Sequence, residues 1–143
     1  MNAADRAFVD TNVWLYAFVG GQDAEKTAAA ASLLQRVAIA VSPQVINEVC
    51  VNLVRKANFA EPDVSELIKS FFARCLVIPQ DEDCLLSASD LRGRYSLSFW
   101  DSLIVASAIR SRAAILFSED LQHGLTVDGG LRIVNPFLSG STA

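Results

Sequence analysis

Short apolar runs alternate along this chain with longer segments that have helical spacing. Apolar runs of strand length occupy residues 6–9, 38–41, 76–78, 113–117 and 131–134. Segments with helical spacing or helix-start signals occupy residues 13–19, 24–36, 43–57, 62–74, 81–94 and 98–112. This alternation predicts a mainly parallel sheet covered by helices, and therefore an α/β fold.

Segment 43–57 shows the helical pattern most clearly. Ser42 and Pro43 are residue types favoured at the N-cap and at the first position of a helix. Apolar side chains then recur at helical spacing at Val45, Ile46, Val49, Cys50, Leu53, Val54 and Ala57. Glu48 therefore lies beside the apolar stripe of this helix and not opposite it.

Length and composition favour a single domain over residues 1–143, large enough to bury a core. Hydrophobic residues make up 52% of the chain, yet no apolar run approaches the ~20 residues of a membrane helix. Residues 1–6 lack the apolar region of a signal peptide, and residues 140–143 form a polar tail. We expect a cytoplasmic protein with no membrane segment that covers apolar surface by oligomerising. A large core is the simpler alternative.

Counts of reactive side chains narrow the chemistry. Three cysteines without a C-x-x-C pair indicate reduced thiols. A single histidine excludes a His-rich zinc site and a Ser-His-Asp triad placed elsewhere in the chain. The net charge of −4 argues against a general nucleic-acid coat. It does not exclude a nuclease, because bound metal ions add positive charge that formal counting ignores.

Four carboxylates, Asp10, Glu48, Asp101 and Asp120, each adjoin an apolar stretch. A carboxylate beside a core is costly to desolvate unless a cation compensates its charge. Their immediate neighbours include no Lys or Arg, so a metal cation is the natural counter-charge, and oxygen ligands suit Mg²⁺ or Mn²⁺. The sequence therefore predicts a metal-assisted reaction on a phosphate ester.

Each of these acids also has a structural explanation. Asp10 and Asp120 follow predicted strands, where ligands bind in α/β sheets, but Asp10 is equally a good helix cap. Ser98 and Asp101 match a capping box, which taken alone favours capping. For Glu48 a solvated helix face is the usual explanation, and a polar pocket is equally compatible with its neighbours.

The order and spacing of the four acidic motifs resemble those of the PIN domain family, which includes the VapC ribonuclease toxins of bacterial toxin–antitoxin pairs. The four segments are Val9-Asp10-Thr11-Asn12, Ile46-Asn47-Glu48-Val49, Phe99-Trp100-Asp101-Ser102-Leu103-Ile104 and Phe117-Ser118-Glu119-Asp120-Leu121. The resemblance spans most of the chain. It implies a compact α/β/α sandwich, usually dimeric, with metal-dependent endoribonuclease activity.

The resemblance also implies roles for individual residues. Asp10, Glu48, Asp101 and Asp120 would be the catalytic residues that hold Mg²⁺ or Mn²⁺, directly or through water. Supporting positions around them would be taken by Thr11, Asn12, Ser118 and Glu119. Candidate RNA-backbone contacts are Arg55, Lys56, Arg92 and Arg94, although surface solvation explains each of these by itself more simply. The implied partners are an RNA substrate, a cognate antitoxin and a second copy of the chain.

Two other classes remain open at this stage. An aspartyl-phosphate receiver would also place an Asp after an early strand, but it would need a Lys where this chain has Ser118-Glu119-Asp120. A non-catalytic PIN-fold module that binds nucleic acid or protein is the second. Within the acidic pair, alternation along an extended strand puts Ser118 and Asp120 on one side and Glu119 on the other. We therefore expect Asp120 to face the site.

Overall fold

The computed structural model describes residues 6–21 and 23–138, and in these ranges six strands form one sheet. The strands are β1 (Arg6–Val9), β2 (Ala38–Val41), β3 (Leu76–Val77), β4 (Ile115–Phe117), β5 (Thr126–Val127) and β6 (Leu131–Val134). Their order across the sheet is β3-β2-β1-β4-β6-β5, and every neighbouring pair is parallel except β5–β6. The prediction of a mainly parallel sheet is confirmed. The predicted polar tail and residues 1–5 lie outside the described residues.

Helices connect most of the strands. They are α1 (Thr11–Phe18), α2 (Ala24–Arg36), α3 (Pro43–Ala57), α4 (Glu61–Arg74), α5 (Glu82–Arg94) and α6 (Phe99–Arg110). Side-chain caps explain several of the starting points: Ser42 accepts a hydrogen bond from the backbone of Val45, and Asp81 accepts one from that of Cys84. None of the helices in the described ranges is long and apolar enough to span a membrane.

The observed boundaries either match the predicted ones or differ from them by one or two residues. Helix α1 begins at Thr11, directly after β1, because the carboxylate of Asp10 accepts a hydrogen bond from the Thr11 N–H and caps the helix there. Strand β3 ends before Pro79, which has no N–H to continue the ladder. Neither β5 nor the 3-10 turn that follows it at Asp128–Gly130 was predicted from the sequence.

The core lies on both faces of the sheet. Consecutive residues of the central strands are fully buried, among them Phe8 and Val9 in β1 and Leu116 in β4, and this is possible only if helices cover both faces. Helix α1 packs against α2 and α3, and α3 packs against α4, whereas α5 packs against α6. The arrangement is an α/β/α sandwich, as expected.

Candidate active site

Parallel pairing of β1 with β4 places two motifs side by side. Val9 lies opposite Phe117 in the register, so Asp10 and Ser118 leave the sheet together at its carboxyl edge. The Asp10 N–H donates to the Phe117 carbonyl at 3.0 Å, and the Ser118 hydroxyl donates to Asp10 Oδ2 at 2.9 Å. The backbone pairing therefore fixes the position of the first carboxylate.

Asp10 caps helix α1 and is also one of the four acids of the candidate site. Its Oδ1 accepts a hydrogen bond from the Thr11 N–H at 2.7 Å, while its Oδ2 accepts one from Ser118. Capping and site function were alternatives in the sequence. In the structure they do not exclude each other, because the cap holds the carboxylate rigidly at the end of β1.

Glu48 belongs to the same cluster and does not lie on a solvated face. It is half-buried in the second turn of α3. Its Oε2 accepts a hydrogen bond from the Thr11 hydroxyl at 2.8 Å, and its Oε1 accepts one from Gln44 Nε2 at 3.0 Å. The Asn52 amide donates to the Glu48 backbone carbonyl and not to the carboxylate. Thr11 thus links the motif after β1 to the motif on α3.

Asp101 and Asp120 complete the cluster from the other side. Asp101 lies in the first turn of α6, where its N–H donates to the hydroxyl of Ser98 at 3.1 Å. Asp120 follows β4, and its Oδ2 accepts a hydrogen bond from Asn12 Nδ2 at 2.6 Å. The negative charge of Asp101 is one of the causes that raise the pKa of Asp120, so the two carboxylates lie within electrostatic reach of each other.

The charges of the four predicted acids affect one another in pairs. Burial raises the pKa of Asp10 from 3.8 to about 6, and the charges of Glu48 and Asp120 add to this, against the hydrogen bonds from Thr11 and Ser118. Burial also raises the pKa of Asp120, with contributions from the charges of Glu119, Asp101 and Glu48. None of the ion pairs found in the described ranges involves Asp10, Glu48, Asp101 or Asp120.

This donor set suits a divalent cation that keeps part of its water shell. In residues 6–21 and 23–138, no three Asp, Glu, His or Cys side chains are close enough together to hold one ion directly. Mg²⁺ commonly binds through one or two carboxylates and retains several waters. A partly buried, uncompensated carboxylate with other carboxylates around it fits such an ion on charge and on ligand chemistry.

Three of the four predicted supporting residues contact a carboxylate of the cluster. Thr11 donates to Glu48, Asn12 to Asp120 and Ser118 to Asp10. Their hydroxyl and amide groups hold the carboxylates in place.

Glu119 points elsewhere. Its Oε2 pairs with Lys26 Nζ at 2.5 Å, and its Oε1 accepts a hydrogen bond from the Tyr16 hydroxyl at 3.1 Å. Lys26 and Tyr16 lie on α2 and α1. Glu119 and Asp120 therefore contact different partners, as expected, in a segment where the chain bends and no longer continues β4.

The four predicted basic residues have different surroundings. Arg55 and Lys56 are exposed in the last turn of α3, and Lys56 lines a cavity together with Asn12 and Tyr16. Lys56 is therefore near a residue that holds Asp120.

The other two basic residues are engaged in contacts of their own. Arg92 donates to the hydroxyl of Ser102 at 2.7 Å, and its guanidinium lies 3.9 Å from the centre of the Phe99 ring. Arg94 forms ion pairs with Asp90 and Asp128, which compensate its charge. The structure does not bring the charge of Arg94 to the carboxylate cluster.

Sequence analysis missed Gln44, whose amide positions one oxygen of Glu48. The spacing of four residues on one helix was the signal that could have indicated this pair. Lys26 was also missed, because its partner Glu119 is 93 residues away and only the tertiary fold brings them together.

Comparisons with known proteins bear on the family and the fold of the chain, not on its individual site residues. The sequence profile described as "PIN domain" matches residues 7–124. No curated protein matches the chain in sequence.

Solved structures share the fold at low identity. A toxin–antitoxin complex from Klebsiella pneumoniae aligns with a TM-score of 0.69 and 21% identity, over 92% of this chain and 98% of that one. VapC20 of Mycobacterium tuberculosis, described as a sarcin-ricin loop cleaving toxin, aligns with a TM-score of 0.64 and 20% identity, over 80% of this chain and 91% of that one. FitAcB from Neisseria gonorrhoeae aligns with a TM-score of 0.61 and 15% identity, over 92% of this chain and 98% of that one. With the profile covering most of its length, the chain belongs to the PIN domain family.

Proposed function

We propose that this protein is a divalent-metal-dependent endoribonuclease that hydrolyses RNA phosphodiester bonds, and that it is the toxin of a toxin–antitoxin pair. The observation that carries the proposal is the cluster of Asp10, Glu48, Asp101 and Asp120 at the carboxyl edge of the sheet. These carboxylates have no cationic side chain paired with them in the described ranges. The positive charge that such a cluster requires is the charge of Mg²⁺ or Mn²⁺.

The cluster supplies the ligands for this chemistry. A bound divalent ion polarises the scissile phosphate and makes a water molecule more acidic. Asp10 and Glu48 are the best-placed ligands, because hydrogen bonds from Ser118 and Thr11 fix the orientation of their carboxylates. Asp120 and Asp101 would extend the negative surface and help to hold the ion through its water shell. No side-chain nucleophile is needed.

RNA as the substrate is supported by family membership and by a structural relative. VapC20, which shares the fold, is titled a sarcin-ricin loop cleaving toxin. Lys56 is exposed and lies beside the cavity near Asn12, where it can contact a backbone phosphate. Arg55 and Arg92 are weaker candidates for the same role, and Arg94 is the weakest because its charge is already paired.

A protein partner is supported by the structural relatives, since one of them is titled a toxin–antitoxin complex. The surface offers an apolar groove of about 400 Å³ between α1, α2 and α4, with Trp14, Phe18 and Phe71 among its lining residues. Phe18 is 44% exposed there. We propose that an apolar segment of a cognate antitoxin occupies this groove. Co-purification with the product of the neighbouring reading frame, lost in Phe18→Glu, tests this.

The activity is tested by incubating the protein with total RNA in Mg²⁺, in Mn²⁺ and in EDTA. We expect discrete cleavage products with either metal and none in EDTA. Asp10→Asn should abolish the products, whereas Asp83→Asn, which changes an exposed acid on α5, should leave them unchanged. Cleavage that persists in EDTA would contradict the metal site. Metal-independent RNA binding by Asp10→Asn without cleavage by the wild type would favour the non-catalytic alternative.

A further inference from the structure

Beside the carboxylate cluster lies an open cavity of about 480 Å³ that shares Glu48 with the cluster. Its volume is within the ~300–1,000 Å³ typical of small-ligand cavities. It is lined by Pro43, Gln44, Asn47, Glu48, Gln80 and Trp100. These residues come from the start of α3, the loop before α5 and the first turn of α6. One wall therefore carries a large aromatic ring, and the others carry side-chain amides.

Trp100 is unusual because its side chain is largely exposed. It is 66% exposed, whereas Trp14, the other tryptophan in the sequence, is 7% exposed. Its neighbour Phe99 is covered on one face by the guanidinium of Arg92 at 3.9 Å. The rings of Trp100 and Phe99 contact each other edge-on, with 6.1 Å between their centres. Trp100 lines the cavity. An exposed indole beside a nucleic-acid site is suited to stacking with an unpaired base.

The amide wall is held in place by its own hydrogen bonds. Gln80 Nε2 donates to Gln44 Oε1 at 3.0 Å and to the Ser107 hydroxyl at 3.4 Å. Gln44 Nε2 in turn donates to Glu48 Oε1 at 3.0 Å and to the Trp100 carbonyl at 3.4 Å. With their N–H groups engaged, the two glutamines keep carbonyl oxygen available as an acceptor.

Asn47 adds an exposed amide with both a donor and an acceptor. Together with the glutamine carbonyls it can read the edge of a base by hydrogen bonding.

Charge favours a base over a phosphate in this cavity. Glu48 lines it, and the remaining lining side chains are neutral. A phosphate would be repelled by the carboxylate, whereas an uncharged nucleobase would not. Glu48 also belongs to the carboxylate cluster, and Trp100 directly precedes Asp101. A base in the cavity therefore belongs to a nucleotide at or next to the scissile phosphate.

We propose that this cavity is a nucleobase-binding subsite, in which Trp100 stacks on an unpaired base and the amides of Gln80 and Asn47 contact its edge. The inference rests on the proposed function, because it takes single-stranded RNA as the ligand. It goes beyond that function by naming the side chains that select the nucleotide beside the cleaved bond.

The binding test uses short, unstructured RNA oligonucleotides of each base, with Asp10→Asn protein so that the RNA stays intact. Stacking should quench the fluorescence of Trp100, and Trp100→Phe, which retains only Trp14, should show no quenching. Trp100→Ala should weaken binding by roughly 5- to 100-fold, the range that follows loss of one base–aromatic stack. Phe72→Ala removes an aromatic ring of similar exposure (58%) from α4 and should bind within twofold of its parent.

A cleavage assay with the wild type and with Trp100→Ala distinguishes failure of the subsite from failure of the proposed nuclease function. If wild type cleaves RNA and Trp100→Ala loses at least about fivefold in kcat/KM, both are supported. If wild type cleaves and Trp100→Ala cleaves equally well, the subsite is wrong and the nuclease assignment stands. If no RNA is cleaved but quenching occurs, the subsite stands without the nuclease. If Trp100→Ala binds RNA within twofold of its Asp10→Asn parent, the subsite is wrong. The exposed indole would then be a candidate contact for a protein partner.

Discussion

Replacing Asp10 by Asn should stabilise the metal-free protein at neutral pH while abolishing its proposed activity. Asp10 is a partly buried carboxylate with Glu48 and Asp120 within electrostatic reach. Keeping it ionised in the folded state is unfavourable without a bound cation. Asn removes the charge but keeps the shape, and its side-chain oxygen can still cap α1 by accepting the Thr11 N–H.

The expected magnitude follows from the pKa of Asp10. A rise from 3.8 to about 6 is equivalent to roughly 3 kcal/mol of folding free energy at neutral pH. Asn also exchanges a charge-assisted hydrogen bond from Ser118 for a neutral one, which offsets part of the gain. We therefore expect Asp10→Asn to be more stable by roughly 1–3 kcal/mol, equivalent to a Tm higher by about 3–10 °C.

The gain should depend on pH in a defined direction. Between about pH 4 and pH 6 the folded protein holds a proton on Asp10 that the unfolded chain has already released. The contribution of Asp10 to the free energy of unfolding therefore falls as the pH rises through this window. Asp10→Asn should match the wild type near pH 4 and exceed it in Tm above pH 6.

Thermal unfolding in EDTA at pH 4.0, 5.0, 6.0 and 7.5 measures this difference. Asp23→Asn is the matched control, because Asp23 also caps a helix but is not one of the four clustered acids. Unlike Asp10→Asn, it should not gain Tm over the wild type as the pH rises. Addition of Mg²⁺ should raise the Tm of the wild type more than that of Asp10→Asn, since only the wild type keeps the complete cluster. A Tm for Asp10→Asn several degrees below wild type at every pH would refute the reasoning and make Asp10 a purely structural cap.

Three further outcomes are expected. Asp120→Asn should reduce metal-dependent cleavage by at least about tenfold, and Glu119→Gln should be milder because Glu119 pairs with Lys26; a reversed order in the same Mg²⁺ titration would contradict the assignment. Lys56→Gln should reduce the slope of log K for RNA binding against log salt concentration by about 0.7. Arg94→Gln should leave this slope unchanged, because Arg94 is already paired with Asp90 and Asp128. Equal slopes for the two variants would contradict the role of Lys56. Sedimentation should give a dimer or larger at roughly tens of micromolar, because 52% of the residues are hydrophobic and the net charge is only −4; a monomer would count against it.

Local patterns in the sequence were sufficient to identify most of the elements. The bounds of β1, β2, β6, α2 and α3 agree with the predicted ranges, because each combines a clear periodicity with a local stop or cap. The prediction that Asp120 faces the site and Glu119 does not came from alternation along an extended chain, whereas the chain bends at both residues. Local patterns could not detect β5, a strand of two residues that pairs with β6 at the edge of the sheet.

The sequence alone determined which side chains could carry the chemistry, because four carboxylates beside apolar stretches are visible without a structure. Only the tertiary structure decided how those side chains are used. Pairing of β1 with β4 joins Asp10 to Ser118 across 108 residues, and packing of α2 near β4 ties Glu119 to Lys26. The raised pKa of Asp10 and the cavity at Trp100 arise in the same way, because burial and proximity depend on segments that are distant in the chain.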